Sequence, residues 1–285
     1  MRQVMGRYMK LFLIIVLGSV CANAVDIEAV PPDLTTPPVT KGSPAPGKRV
    51  RQVIEEYDRA GSEVHHLLYL PTDWEKGKKY PVIVEYAGNK SGKSLGTVSG
   101  SSLGYGISGG KGVIWICMPF VDKNNQKNAT NWWGDVDETV EYCKKTVVQI
   151  CSEFGGDSSN VFIAGFSRGS IACNYIGLHD AEIASLWRGF ICHSHYDGVR
   201  KWGYPESDRE AAAKRLERLG GRPQFISHEQ SVGTTKTYLE QALPNGNFTF
   251  QGLPFSDHTD TWVLKDIPER KLLRSWFERA LDAEE

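Results

Sequence analysis

Val161-Phe162-Ile163-Ala164-Gly165-Phe166-Ser167-Arg168-Gly169 decides how the rest of this chain is read. Four apolar residues run into a serine set between two glycines, the pattern of a buried strand that turns sharply into a helix. Such a turn strains the serine backbone, and glycines leave room where a side chain would strike the neighbouring strand or helix. The pattern alone is weak, so its surroundings must carry the argument.

Those surroundings alternate strands and helices. Strands are predicted at Gln52 to Tyr57, Val64 to Leu70, Tyr80 to Tyr86 and Val113 to Phe120. A helix begins at Asp135 as N-cap, with Val136, Val140, Cys143, Val147, Ile150 and Phe154 on one apolar stripe that Gly155-Gly156 ends. After Ser167 a helix is expected from Ser170 to about Leu178, then strands at Gly189 to Ser194, Pro223 to Ser227 and Asn247 to Leu253. Ser207-Asp208-Arg209-Glu210 reads as a capping box, and the last helix as burying Leu272, Leu273, Trp276, Phe277 and Leu281. This succession predicts an α/β fold with a mostly parallel sheet, helices on both faces and a site at the carboxyl ends of the strands. Between Ala87 and Gly112 stand nine glycines with little helical periodicity, the signature of a long functional loop.

At 285 residues, 40% hydrophobic and 24% charged, the chain suits one large domain. A net charge of −1 provides neither a nucleic-acid footprint nor an attraction to anionic membranes. Arg2, Arg7 and Lys10 precede the apolar run Leu11 to Cys21 and the small-residue site Ala22-Asn23-Ala24, so residues 1–24 read as a signal peptide and the protein as exported, to the periplasm or outside the cell. That run is too short for stable membrane insertion. Six prolines between Pro31 and Pro46 mark residues 25–48 as an extended, exposed linker, leaving 49–285 as the folded domain. Cys117, Cys143, Cys151, Cys173 and Cys192 have no metal-site spacing and read as small buried side chains.

A serine nucleophile needs a base, and the base an orienting acid. His258, in the loop after the last strand, is the candidate base. Glu229, after the penultimate strand, gives the order Ser, acid, His; Asp197, after the preceding strand, is the alternative acid. Asp257 and Asp260 read as solvated loop charges. Oxyanion donors are expected from the Arg168 N–H and from Gly88, with Ala87 and Asn89 beside it. The Arg168 side chain itself reads as an exposed helix-start arginine or a contact for an anionic substrate.

From about residue 64 onward the chain resembles the α/β-hydrolase superfamily, in particular exported polyester depolymerases, feruloyl esterases and acetyl esterases. Leu68-Tyr69-Leu70-Pro71, Pro81-Val82-Ile83-Val84 running into the oxyanion loop, Gly165 to Gly169, and His258 carry the resemblance. It implies hydrolysis of a small-molecule or polymeric ester by Ser167 and His258 with an acid, without a cofactor or metal. Tyr86-Ala87-Gly88-Asn89 stands where many relatives have His-Gly, and Glu229 where they have Asp. No large lid fits between Ser194 and Ser207, which suits a carbohydrate or polymeric ester. Trp132, Trp133, Trp202 and Tyr204 read either as a platform for substrate rings or as loop packing. Two further readings compete: a binding protein that kept the fold without turnover, and a metallohydrolase using His193, His195 and Asp197, whose H-x-H-x-D run lacks the following His.

Overall fold

In the computed structural model, which describes residues 25–58, 60–92 and 94–283, nine strands form one sheet. They are β1 (Val39–Thr40), β2 (Arg49–Gln52), β3 (His66–Tyr69), β4 (Tyr80–Tyr86), β5 (Ile114–Met118), β6 (Gly156–Phe166), β7 (Gly189–His193), β8 (Gln224–Glu229) and β9 (Phe248–Leu253). Their spatial order is β1-β2-β3-β5-β4-β6-β7-β8-β9. Only β3 runs antiparallel to its neighbours; β4 to β9 are parallel, so their carboxyl ends share one edge of the sheet. Along that edge Tyr86 pairs with Gly165, Phe166 with His193, and Glu229 with Leu253.

Alternation along the strands feeds two cores. Val82, Val84 and Tyr86 join the apolar faces of α2 (Val136–Glu153) and α3 (Arg168–Tyr175) on one side, with α5 (Arg209–Leu216) and α6 (Gly233–Ala242). Ile83, Phe162 and Ala164 join α1 (Leu103–Ser108) and α7 (Pro268–Asp282) on the other. A short α4 (Ala181–Ala184) completes the helices. Asp135 caps α2 by accepting from the Glu138 N–H at 3.0 Å, as predicted. For α5 the cap is Asp208, which accepts from Ala211, while the Ser207 hydroxyl turns back to the Trp202 carbonyl. Leu272 is 51% exposed, outside the apolar stripe of α7. The five described cysteines are free and mostly buried.

Three expectations need correction. The strand expected at Gln52 to Tyr57 is not formed: β2 is Arg49–Gln52, and Glu55–Tyr57 make a single 3-10 turn. Residues 25–48 are extended but not a free linker: Ile27 is buried in the second core, Asp33 pairs with Arg270 at 2.6 and 2.7 Å, and β1 adds a strand to the sheet. They belong to the domain. The glycine-rich stretch after β4 also contains a helix, α1, that periodicity did not reveal. Its glycines serve close packing: a Cβ on Gly104 would lie 2.2 Å from the Trp115 ring, and one on Gly106 2.3 Å from Val263. The expected signal peptide, residues 1–24, lies outside the described residues.

Glu85, fully buried on β4, holds α1 to the sheet. Its carboxylate accepts from the Ser102, Leu103 and Gly104 N–H groups at 2.8–3.0 Å and from Trp115 Nε1 at 2.8 Å. Glu85→Gln would turn an amide N–H₂ toward these donors and leave some without an acceptor, so chemical denaturation should show a loss of roughly 2–4 kcal/mol. Acid should weaken the fold too. Burial lowers the pKa of His66 to about 3 and of His193 to about 4, so below pH 6.5 the unfolded chain takes up protons that the folded one refuses. Each histidine should therefore remove up to about 1.4 kcal/mol per pH unit as pH falls from 6.5 toward 4. Replacing His66 by Asn should flatten the measured dependence of unfolding free energy on pH.

Candidate active site

Ser167 sits between β6 and α3 at φ 54° and ψ −113°, a backbone that few non-glycine residues adopt. The flanking glycines are sterically required. A Cβ on Gly165 would come within 2.0 Å of the Gly169 carbonyl oxygen, and one on Gly169 within 1.8 Å of the Tyr86 carbonyl oxygen. The Ser167 N–H donates to the His193 carbonyl at 3.0 Å, tying the turn to β7.

His258 reaches back from the loop after β9. Its Nε2 is 3.0 Å from Ser167 Oγ and its Nδ1 is 2.9 Å from Glu229 Oε1, at the end of β8. A carboxylate accepts only, so the imidazole proton lies on Nδ1 and Nε2 is left to accept from the serine hydroxyl. Burial alone would raise the Glu229 pKa, but the bond from His258 and the nearby imidazole of His193 outweigh it and bring it to about 2. Two contacts hold the histidine loop. His193 Nε2 donates to the Thr259 carbonyl at 2.9 Å, and the Gln230 N–H meets the Leu253 and Phe255 carbonyls at 2.9 and 3.0 Å. The Phe166 ring lies 4.7 Å from the imidazole.

Asp197, the alternative acid, is placed elsewhere. It is 1% exposed, and both its oxygens are taken by Arg215, at 2.9 and 3.2 Å. Burial, opposed by Arg215, pushes its pKa up to about 6. From that end of β7 it is Ser194 that reaches His258, with Oγ 2.9 Å from Nδ1. Sequence reasoning missed Ser194 because it stands inside the apparent metal-ligand run. That run does not converge: His193 is engaged with Thr259 and Ser227, and Asp197 with Arg215. No group of three His, Cys, Asp or Glu side chains arranged to hold a metal occurs among the described residues. Asp260 is not a solvated loop charge either; it is 7% exposed, and burial, with Glu85 nearby, pushes its pKa up to about 8.

Gly88 lies against the serine, for a Cβ there would meet Ser167 Cβ at 3.3 Å and Phe166 at 3.2 Å. Arg168 opens α3, so its N–H has no acceptor within the helix. Its side chain departs from both sequence readings. It is 1% exposed, and the guanidinium donates to five backbone carbonyls: Trp132 at 2.6 Å, Gly88 at 3.0 Å, Gly96 at 3.3 Å, and Ala87 and Ala129 at 3.4 Å. The Phe120 ring lies 4.0 Å beneath it. Burial lowers its pKa to about 9, which leaves it cationic at neutral pH. Ser167, Arg168 and His258 line a cleft of about 840 Å³ with Asn89, Trp132 and Trp202.

No protein-family model matches the chain, and a search among curated proteins finds no match. Solved structures do match in fold. A thermostable esterase aligns over 81% of this chain at 14% identity with a TM-score of 0.52; the chain spans 62% of that protein. A fungal esterase from Rhizomucor miehei aligns over 82% of this chain and 83% of its own at 12% identity and a TM-score of 0.55. Est1E from Butyrivibrio proteoclasticus aligns over 80% and 98% at 10% identity and a TM-score of 0.52. With its strand order, its single antiparallel inner strand and its strained serine turn at the carboxyl edge, the chain adopts the α/β-hydrolase fold.

Proposed function

We propose that this chain is an exported serine hydrolase that cleaves an ester bond in a small-molecule, carbohydrate or polymeric substrate. The observation that carries the reading is the hydrogen-bond chain from Ser167 through His258 to Glu229. His258 Nε2 takes the hydroxyl proton as Ser167 Oγ attacks the ester carbonyl carbon, and Glu229 stabilises the imidazolium that forms. Negative charge developing on the carbonyl oxygen is met by the Arg168 N–H and a second N–H at Gly88 or Asn89. The imidazolium then protonates the leaving alkoxide. Water repeats the sequence on the acyl-serine, releasing the acid. The esterase neighbours support the reaction class at the level of fold. Export rests on the sequence of residues 1–24; Val25, the first residue after the expected cleavage site, donates its N–H to the Pro254 carbonyl at 2.7 Å. No helix among the described residues is long and apolar enough to cross a membrane.

A fluorophosphonate probe should label the protein at Ser167, and Ser167→Ala should abolish labelling; a folded protein that takes no label would instead be a binding protein on this fold. Glu229→Gln should lower kcat by about 10⁴, whereas Asp197→Asn should act mainly on stability by taking from Arg215 its buried carboxylate partner and leaving only the exposed Glu206. Arg168→Lys keeps the charge but loses the fork that reaches several carbonyls. Because the fork holds Gly88, kcat for a simple ester should fall by about 10- to 100-fold with a smaller change in KM. An Arg168→Lys enzyme with unaltered kcat would remove the clamp from the mechanism.

A further inference from the structure

Trp132 and Trp133 are neighbours in sequence, with ring centroids 6.0 Å apart and Tyr204 against both, but they differ in burial. Trp133 is 4% exposed and packs between Phe120, Tyr175 and Tyr204, with ring centroids 5.6, 4.7 and 5.0 Å away. It does the loop packing. Trp132 is half-buried, with φ 49°, a left-handed backbone that bulky residues avoid. Both sides of the residue are pinned in that conformation. Its N–H donates to Asn89 Oδ1 at 2.7 Å, and its carbonyl accepts from Arg168 Nη1 at 2.6 Å. The loop that carries the expected oxyanion donor and the residue after Ser167 therefore also set where this indole stands.

It stands in the cleft. Trp132, Trp202, His195 and His258 form a continuous row of rings, with successive centroids 5.3, 5.5 and 5.2 Å apart, and Phe166 lies beside the last. All five residues line the cleft that holds Ser167. Elsewhere on the cleft lining stand Ser91, Ser94, Asp257 and Thr259, groups that can bond ring substituents. A flat apolar face beside hydroxyl and carboxylate groups matches a ring with one apolar face and polar substituents better than it matches a linear chain.

We propose that Trp132 is a ring-stacking subsite of the cleft, receiving a flat six-membered ring of the substrate, aromatic or pyranose, next to the scissile ester. The proposal rests on the hydrolase reading for its substrate class, not for the binding itself. Its kinetic test compares matched esters: phenyl acetate and acetylated methyl xyloside against ethyl acetate, and methyl cinnamate against methyl butyrate. Trp132→Asn, whose side chain tolerates a left-handed backbone, should lower the ratio of kcat/KM for ring-bearing over linear esters by about tenfold, while Trp132→Phe keeps most of it. The arm in which the ratio falls, aryl or pyranose, identifies the ring. Ratios unchanged in both arms overturn the proposal. Should the wild-type protein turn over no ester, the hydrolase reading fails and binding decides the subsite. Saturation-transfer NMR on the Ser167→Ala protein should then detect methyl cinnamate or acetylated methyl xyloside, with the signal lost in Ser167→Ala/Trp132→Asn. Absence of a signal, or its survival in the double variant, overturns the subsite.

Discussion

A single buried guanidinium organises the carboxyl edge of this sheet. The segments after β4 and β5 are irregular, and their carbonyls find few partners in regular structure. Arg168 gathers five of these carbonyls in one fork, from Ala87, Gly88, Gly96, Ala129 and Trp132. A buried cation ordinarily needs a carboxylate, yet no ion pair with Arg168 occurs among the described residues, and carbonyl dipoles together with the Phe120 ring solvate it. That choice has a structural advantage. A carboxylate would satisfy the charge locally, whereas five carbonyls from two loops must all be in place at once, so the loops order together.

What was legible in the sequence were the features set by local geometry. Gly165 and Gly169 flag the turn because backbone lies within about 2 Å of where their Cβ atoms would be. Glu229 ends, and His258 follows, a strand whose apolar run marks the carboxyl edge, so chain order made both candidates to reach Ser167, with Asp197 left open as the acid. The illegible features depend on where a long side chain travels. Nothing in the spacing distinguishes an Arg168 that turns inward from one in solvent, or an Asp197 that finds Arg215 from one that finds His258. Helix α1 was hidden for a related reason: Gly104 and Gly106 serve contacts with Trp115 and Val263, and small residues at contact points erase the apolar periodicity that marks a helix. Residues 25–48 misled through composition. Proline excludes them from regular helix but not from docking, and Ile27 and Asp33 supply the contacts that a solvated linker lacks.

Backbone strain shows where this fold has been shaped for something besides stability. Among the described residues, six non-glycine positions have positive φ. Four of them surround the cleft: Ser167, Ser194 beside His258 Nδ1, Gln230 directly after Glu229, and Trp132 in the cleft wall. Each such residue costs roughly 1–3 kcal/mol and persists only where its surroundings over-determine it. Here they do. Ser167 is tied to His193, Ser194 to Ser227, Gln230 to Leu253 and Phe255, and Trp132 to Asn89 and Arg168. Glycine or asparagine would adopt these backbones at lower cost than serine, glutamine or tryptophan. The same carboxyl edge that aligns Ser167, Glu229 and His258 also brings Ser194 to His258 and Trp132 to the cleft wall.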